Sequence, residues 1–444
     1  MNTVCHKQLH FGSLFGKEVI ADFEGGRIRS DAGALLLREL DQRYGLTEAG
    51  ANSLHDPRDS TRVIHELKTM MKQRIFSIAM GYEDTNDSRT LRSDPALKTA
   101  SSRLPETCLD LASQPTLCRF ENGVTKKDLR RLTDRLFGLY LKVHPGARDV
   151  IVIDIDATDD LTHGAQQLSF FHGYYEEHMY HPLLVLDGIT GFPMAAVLRP
   201  GNTHASHRSV AVLKRIVKKL NRAYPGVQIL VRADAGFAVP GLYRFCEKQR
   251  IHYAIGLITN ERLKEKGARL LAKAEHEFKG TGQKQRLFGA LRYRADSWRR
   301  CRRVVAKAEY TDKGPNQRFV VTDLSLNPQR IYDEIYVLRG DTENRIKELK
   351  LELKADRLSC HRFLSNQFRL LLHTFAYCLF LLMRQHLQGT ELETAQVSTL
   401  RIKLLKIGAR IRETGRRIWV HLASAYPYRS LFALLLDRIR SAPT

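Results

Sequence analysis

Residues 150–156, VIVIDID, mark a change in the character of the chain. An apolar, β-branched run that ends in carboxylates reads as a strand, and its period of two puts Asp154 and Asp156 on one face. Downstream, 180–186 and 194–198 read as two more strands joined by a turn across 188–191, which completes a three-strand meander. A helix over about 207–222 follows, with Val210, Leu213, Ile216, Val217 and Leu220 on one face. The strand ILVRAD (229–234), a helix over 240–248 and the strand HYAIGLI (252–258) complete the run.

Three strands, helix, strand, helix, strand is the element order of a ribonuclease-H-like α/β core. Residues 146–258 would form its first part and 321–390 its second. Between them, 259–320 reads as a β-rich insertion, because it holds short alternating runs such as LRYRAD and RRVVAKAEY. The strand RFVVTDL (318–324) then leads through Asn327 and Pro328, a cap and first-turn pair, into a helix. An apolar helix over 363–383 is expected to cover the sheet. The last segment, 391–444, reads as a basic helical C-terminal region, with Arg401, Lys403, Lys406, Arg410 and Arg412 on a helix after Ser398 and an amphipathic helix over 431–439.

Residues 1–145 read as a mostly helical N-terminal region. A hairpin over 18–28 turns at Gly25-Gly26, and a helix over 32–42 has Asp31 as its cap. A helix after Asp59-Ser60-Thr61 buries Ile64, Leu67, Met71, Ile75 and Ile78. The helix after Thr125 buries Leu129, Leu132, Leu136 and Tyr140 and exposes Lys126, Lys127, Arg130, Arg131 and Arg135. The stretches 81–95 and 111–122 are rich in turn formers and read as loops.

The 444 residues carry 71 Lys and Arg against 48 Asp and Glu, a formal charge of +23, so a polyanion is the expected partner. Membrane is the weaker candidate: the most apolar run, 370–383, is flanked and interrupted by Arg369, His373 and Arg384, and the N-terminus has no apolar leader segment. The seven cysteines form no C-x-x-C pair, which argues against a zinc ribbon and a disulfide framework and fits a reducing cytoplasm.

In YVLRGDTENRIKELK (336–350), Tyr336, Arg339, Glu343 and Lys350 lie at offsets of 0, 3, 7 and 14. At about 100° per residue they project from one helical face. Ile335, Leu338, Ile346, Leu349 and Leu353 form the apolar stripe that would pack on the core. Asp234 ends the strand expected beside the one that bears Asp154 and Asp156, and Glu343 would close the group. Three converging carboxylates are hard oxygen ligands suited to two Mg²⁺ or Mn²⁺ ions, which act in phosphoryl transfer.

These residues resemble the DDE transposases of bacterial insertion sequences. The resemblance lies in Asp156-Ala157-Thr158, in Arg232-Ala233-Asp234-Ala235-Gly236-Phe237, and in the Y-x2-R-x3-E-x6-K spacing of Tyr336, Arg339, Glu343 and Lys350. GYEDTND, LRPGNTHAS and LASQPT are similar to stretches of the thirteen-eighty family of insertion sequences. The resemblance implies a ribonuclease-H-like catalytic core, with Asp156, Asp234 and Glu343 as metal ligands and Tyr336, Arg339 and Lys350 at the DNA. It also implies an N-terminal region that recognises terminal inverted repeats, double-stranded DNA as substrate and target, and a homodimer on DNA. Asp154 shares the face of Asp156 and stays open as the alternative first ligand. A metal-dependent nuclease without strand transfer and a catalytically silent DNA-binding protein are the alternative functions.

Other basic and aromatic residues widen the expected DNA contacts to Arg130, Arg131, Lys347 and Trp298. Trp298 stands among arginines, as a base-stacking residue would, or anchors a small β core. His163, His172, His178 and His181 fit no zinc spacing and read as surface or DNA-proximal residues. The stretch 199–204 reads either as a structural turn or as a border of the site, and Asp159-Asp160 as a turn cap.

Overall fold

Apolar alternation from Val150 onward builds one sheet whose middle strands carry the acidic ends. The computed structural model describes residues 8–24 and 26–441, so the N-terminal segment 1–7 with Cys5, and Gly25 of the expected turn, lie outside the described residues. The chain divides into two compact units: residues through 47, 58–119 and from 382 onward form one, and 48–57 with 120–381 the other.

The second unit contains α1 (Lys126–Val143), β1 (Val150–Ala157), the short strands β2 (Asp160–Leu161), β3 (Phe170–His172) and β4 (Glu177–Tyr180), then β5 (Leu183–Asp187) and β6 (Pro193–Val197). Next come α2 (Ser209–Ala223), β7 (Gln228–Ala233), α3 (Pro240–Gln249), β8 (His252–Leu257) and α4 (Glu261–Thr281). The strands β9 (Gln285–Tyr293), β10 (Arg302–Thr311) and β11 (Gly314–Thr322) follow, then a helical run over 328–352, α5, and the start of α6 (Phe363–His386).

Eight strands form one sheet in the order β9-β10-β11-β8-β7-β1-β5-β6. β7 runs parallel to both β1 and β8, and every other neighbouring pair is antiparallel. Parallel neighbours need crossover connections, and α3 supplies the one between β7 and β8. The outer strand β6 is closed by a side chain: Gln367 of α6 accepts from Leu198 N at 2.6 Å and donates to Ala196 O at 3.1 Å. Such pairing occupies edge groups that would otherwise template another strand.

Several elements differ from the sequence reading. The expected meander forms as the antiparallel neighbours β1-β5-β6, but 160–180, between its first two strands, folds into a separate sheet, β2-β4-β3, and β5 starts only after Pro182, which has no N–H for a central ladder. The expected β-rich insertion opens with the 21-residue α4, capped by Asn260, and its three strands extend the main sheet through the β8–β11 pairing. Helix formers and i,i+4 pairs such as Glu275–Lys279 outweigh the sparse apolar spacing there.

The other unit shows comparable corrections. The basic helix expected after Ser398 ends at Leu405, and Ala409–Glu413 pairs with Ile418–Leu422 and with Ile28–Arg29 in a three-stranded sheet. Arg410 and Arg412 alternate with buried Ala409 and Ile411, a period of two, so the helix reading fails at Gly408. The N-terminal hairpin joins Leu9–Leu14 to Lys17–Ala21 and turns at Phe15-Gly16. Asp31 does not cap the helix Ala34–Tyr44; it accepts from Tyr82 Oη at 2.8 Å and pairs with Lys406 at 2.6 Å. Ile64 lies outside the helix Leu67–Met80 and is exposed. The expected loops hold short helices, with Asp84 and Asp94 as N-caps and Gln114–Asn122 the longest.

Candidate active site

Asp154 and Asp156 sit two positions apart on β1 and meet different neighbours. The parallel register places Arg232 of β7 beside Asp154, and its guanidinium forks onto the carboxylate at 2.6 and 2.7 Å. Thr342 Oγ1 of α5 donates to the same carboxylate at 2.6 Å, and Arg232 Nη1 donates to Ile335 O at 2.9 Å. All three side chains are buried, so this network ties two central strands to the helix that bears Glu343. The space is tight: a Cβ at Gly188 would stand 2.6 Å from Arg232 Nη2. Arg345 adds a second tie, from α5 to the carbonyls of Asp187 and Ile189 at 3.3 and 3.4 Å.

Asp234 stands level with Asp156, because it follows the Ala233–Ile155 pair in the parallel register. Arg339 lies among the acidic residues, with Nη1 3.7 Å from Asp156 and Nη2 2.7 Å from Glu343. Burial pushes the Asp156 carboxyl up to about 7, reinforced by the negative charge of Asp234 and opposed by Arg339. Burial also raises Asp234, which accepts from Gly236 N at 2.9 Å. Arg339 Nε is buried without a hydrogen-bond partner among the described residues. The Glu343 side chain is half exposed. Among the described residues no three His, Cys, Asp or Glu side chains stand as a ready-made metal cage. Glu343 is turned onto Arg339 rather than closing on the two aspartates.

The helix 328–352 is not a regular α-helix. π-helical turns at Ile331–Tyr336 and Glu348–Glu352 and a tight turn at Val337–Arg339 flank the α-helical Gly340–Lys347. These turns change the residue-to-angle relation, so the projected faces shift. Leu338, expected on the apolar stripe, is exposed, while Ile346, Leu349 and Leu353 are buried. Tyr336 packs against a core of Ala254, Val305, Val320, Ile331 and Tyr332. Its hydroxyl lies over Gly256 of β8, where an added Cβ would stand 2.5 Å from it and 3.0 Å from Ala235 N, just past Asp234. Lys350 donates to Asp159 at 2.8 Å, and Lys347 is exposed. Asp159 is therefore an ion-pair partner and not a turn cap. Asp160 is buried in β2, with no hydrogen-bond partner for its carboxylate among the described residues.

Trp298 is corrected as a DNA contact. It is 4% exposed, its ring centroid lies 5.2 Å from Tyr243 and 5.5 Å from Tyr293, and the Arg302 guanidinium covers it at 5.0 Å. No face is left for a base. Arg131 pairs with Asp128 on α1, whereas Arg130 is exposed at the mouth of a cavity of ≈ 510 Å³ with Lys126, Arg208 and Arg215. Arg199 is fully buried and holds the following loop by donating to the carbonyls of His181, Ala205 and His207 at 2.6, 2.6 and 2.9 Å. That loop also reaches the site, since a Cβ at Gly236 would lie 2.9 Å from the Ala205 methyl. His181 is buried, donates to Thr203 O at 2.8 Å and is pushed down to about 4 by burial, so it is neutral at physiological pH.

Thr342, Asp159 and the pairing role of Arg232 were not anticipated. The RAD motif gave a signal for Arg232, since a basic residue two positions before a strand-end acid faces the neighbouring strand. Thr342 and Asp159 gave none.

The fold is mixed α/β, built on one large sheet, with Asp156 on a central strand, Asp234 just past the end of its neighbour and Glu343 on a helix beside Arg339. The chain belongs to the DDE transposases: the family described as Transposase DDE domain group 1 matches residues 11–444. No curated protein matches the chain.

Proposed function

We propose that this transposase binds the terminal inverted repeats of an insertion sequence of the thirteen-eighty type and catalyses metal-dependent DNA cleavage and strand transfer on a ribonuclease-H-like core. The observation that carries the reading is the meeting of Asp156, Asp234 and Glu343 at Arg339. The order β6-β5-β1-β7-β8 within the sheet, with β7 parallel to β1, supports the core assignment.

The residues fit a divalent ion by their chemistry. Three carboxylates lie about one guanidinium, and burial, reinforced by the negative charge of Asp234, pushes Asp156 up to about 7. Asp156, Asp234 and Glu343 would hold two Mg²⁺ or Mn²⁺, which supply an activated water or hydroxyl and stabilise the leaving oxygen. The bond of Asp154 to Arg232 supports Asp156 over Asp154 as the first ligand.

The chain's own groups position the substrate. Arg339, with its unfilled Nε, pairs with a phosphate once Glu343 turns away. Lys350 exchanges Asp159 for the DNA backbone, and Tyr336 sets the wall beside Asp234. Lys347 and Arg130 are exposed cations along the path of the duplex. A reaction on two transposon ends requires both to be held together, which a homodimer provides.

The test offers the purified chain a duplex carrying its own terminal repeat with Mg²⁺. Nicked and joined products are expected, and nicking without joining would support a nuclease instead.

A further inference from the structure

Every residue from Gln8 to Glu24 is exposed, so the N-terminal hairpin has no buried side chain. Phe11, Leu14, Phe15 and Phe23 are 60, 61, 96 and 78% exposed. A two-stranded hairpin alone is marginally stable in water, and clustered exposed apolar residues mark an interaction site where single ones do not. Phe15 stands at the tip, in the left-handed region at φ 49°, with its ring open to solvent. The hairpin is also acidic within a basic protein, since Glu18, Asp22 and Glu24 outnumber Lys17.

The second unit carries the complementary surface. A cavity of ≈ 510 Å³ opens between α1, β6, α2 and the start of α6. That size falls within the ~300–1,000 Å³ of clefts that take a compact ligand group. Phe137 of α1, Met194 and Leu198 around β6, Ile216 of α2, and Phe363 and Leu364 of α6 give it an apolar floor. Lys126, Arg130, Arg208 and Arg215 line it as well; all four are exposed and form no ion pair among the described residues. Asp134 is the only acid in the lining, and Lys219 pairs with it.

Duplex phosphates can use this basic rim but not the apolar floor, and DNA repels an acidic hairpin. Floor and rim together ask for a segment that is both apolar and acidic, and 9–24 is such a segment. An aromatic side chain seated in a pocket is the usual anchor of a protein interface.

We propose that the chain self-associates by arm exchange: the hairpin of one copy seats Phe15 in this cavity of a second copy, with Glu18 and Asp22 against Arg208 and Arg215. The second copy's hairpin returns the same contact, and the two reciprocal contacts close a two-fold dimer. The inference deepens the proposed function and rests on it only for the dimer's use, which is to hold two transposon ends.

The full chain is studied by sedimentation velocity across a concentration series, without DNA or divalent ions. The wild type is expected to dimerise, and Phe15→Ser and Arg215→Glu are each expected to weaken the dimer about tenfold or more. Both residues are exposed, so both variants should keep the wild-type melting temperature. A photocrosslinking side chain at position 15, in a mixture of light and isotope-labelled chains, is expected to join light to labelled chains within 126–137, 194–200 or 207–219. A monomeric wild type, a dimer that either variant leaves at wild-type affinity, or crosslinks only within one chain or to other segments would overturn the proposal. A dimer with the expected properties that cleaves no terminal-repeat duplex in Mg²⁺ would instead overturn the strand-transfer reading and leave the arm exchange intact.

Discussion

Two aspartates on one strand face have opposite electrostatics, and the difference is testable one residue at a time. The Asp154 carboxylate pairs with Arg232 and accepts a hydrogen bond from Thr342, so its partners are structural groups. Removing one partner of a buried pair leaves the other charge uncompensated, so Asp154→Leu is expected to cost about 3–5 kcal/mol in urea denaturation. Thr342→Val removes only one hydrogen bond and is expected to cost about 1–2 kcal/mol. Because Thr342 precedes Glu343, that variant should also lose cleavage rate while it keeps its affinity for DNA. Asp156 behaves in the reverse sense. Its carboxyl is raised from 3.8 to about 7 in the folded state, so the folded chain binds more protons than the unfolded one between these values. Stability contributed by the neutral acid is present below about pH 4 and is lost as pH rises to about 7. Asp156→Asn should therefore melt several degrees higher than the wild type at pH 8 with chelator present, and at nearly the same temperature at pH 4. A variant that melts lower at pH 8 would show that Asp156 is not a destabilised acid.

At the scale of elements, local patterns were legible where one period dominated. VIVIDID, ILVRAD and the Thr125-capped helix are found where periodicity and caps put them. Failures came where two signals competed. Between 261 and 281, charged residues hide a helix whose buried side is only Leu263, Gly267 and Ala274. In 336–350 the face was projected with one helical period, but π-helical turns shift Leu338 outward and leave the Arg339–Glu343 pair intact. The Trp298 question also belongs here, because local sequence shows the arginines around it but not Tyr243, which arrives from α3. Trp298→Ala should cost about 3–5 kcal/mol through the cavity it leaves, and denaturation in urea measures it. A variant as stable as the wild type would return Trp298 to the surface.

For the whole molecule, a charge of +23 sets how it meets DNA. Each phosphate contact releases counterions, so the logarithm of affinity for duplex DNA should fall linearly with the logarithm of salt concentration. Substituting exposed Arg130 or Lys347 with Ala should lower the slope by about one unit each, read by fluorescence anisotropy across a salt series. An unchanged slope would remove that residue from the interface. The polyanion partner was legible from composition alone. The path of the DNA was not, since it depends on which cations the fold leaves unpaired: Arg131 is taken by Asp128, and Lys350 is held by Asp159.

The central claim is that Asp156, Asp234 and Glu343 act together on a phosphate, and a metal-dependent end-cleavage assay with Glu343→Gln tests it most directly. Glu343 is half exposed on the helix surface, so its replacement leaves the fold in place. Wild type should cleave and join its terminal-repeat duplex in Mg²⁺, and Glu343→Gln should bind the duplex normally but cleave at least about a hundredfold more slowly. Cleavage by Glu343→Gln at the wild-type rate would contradict the account.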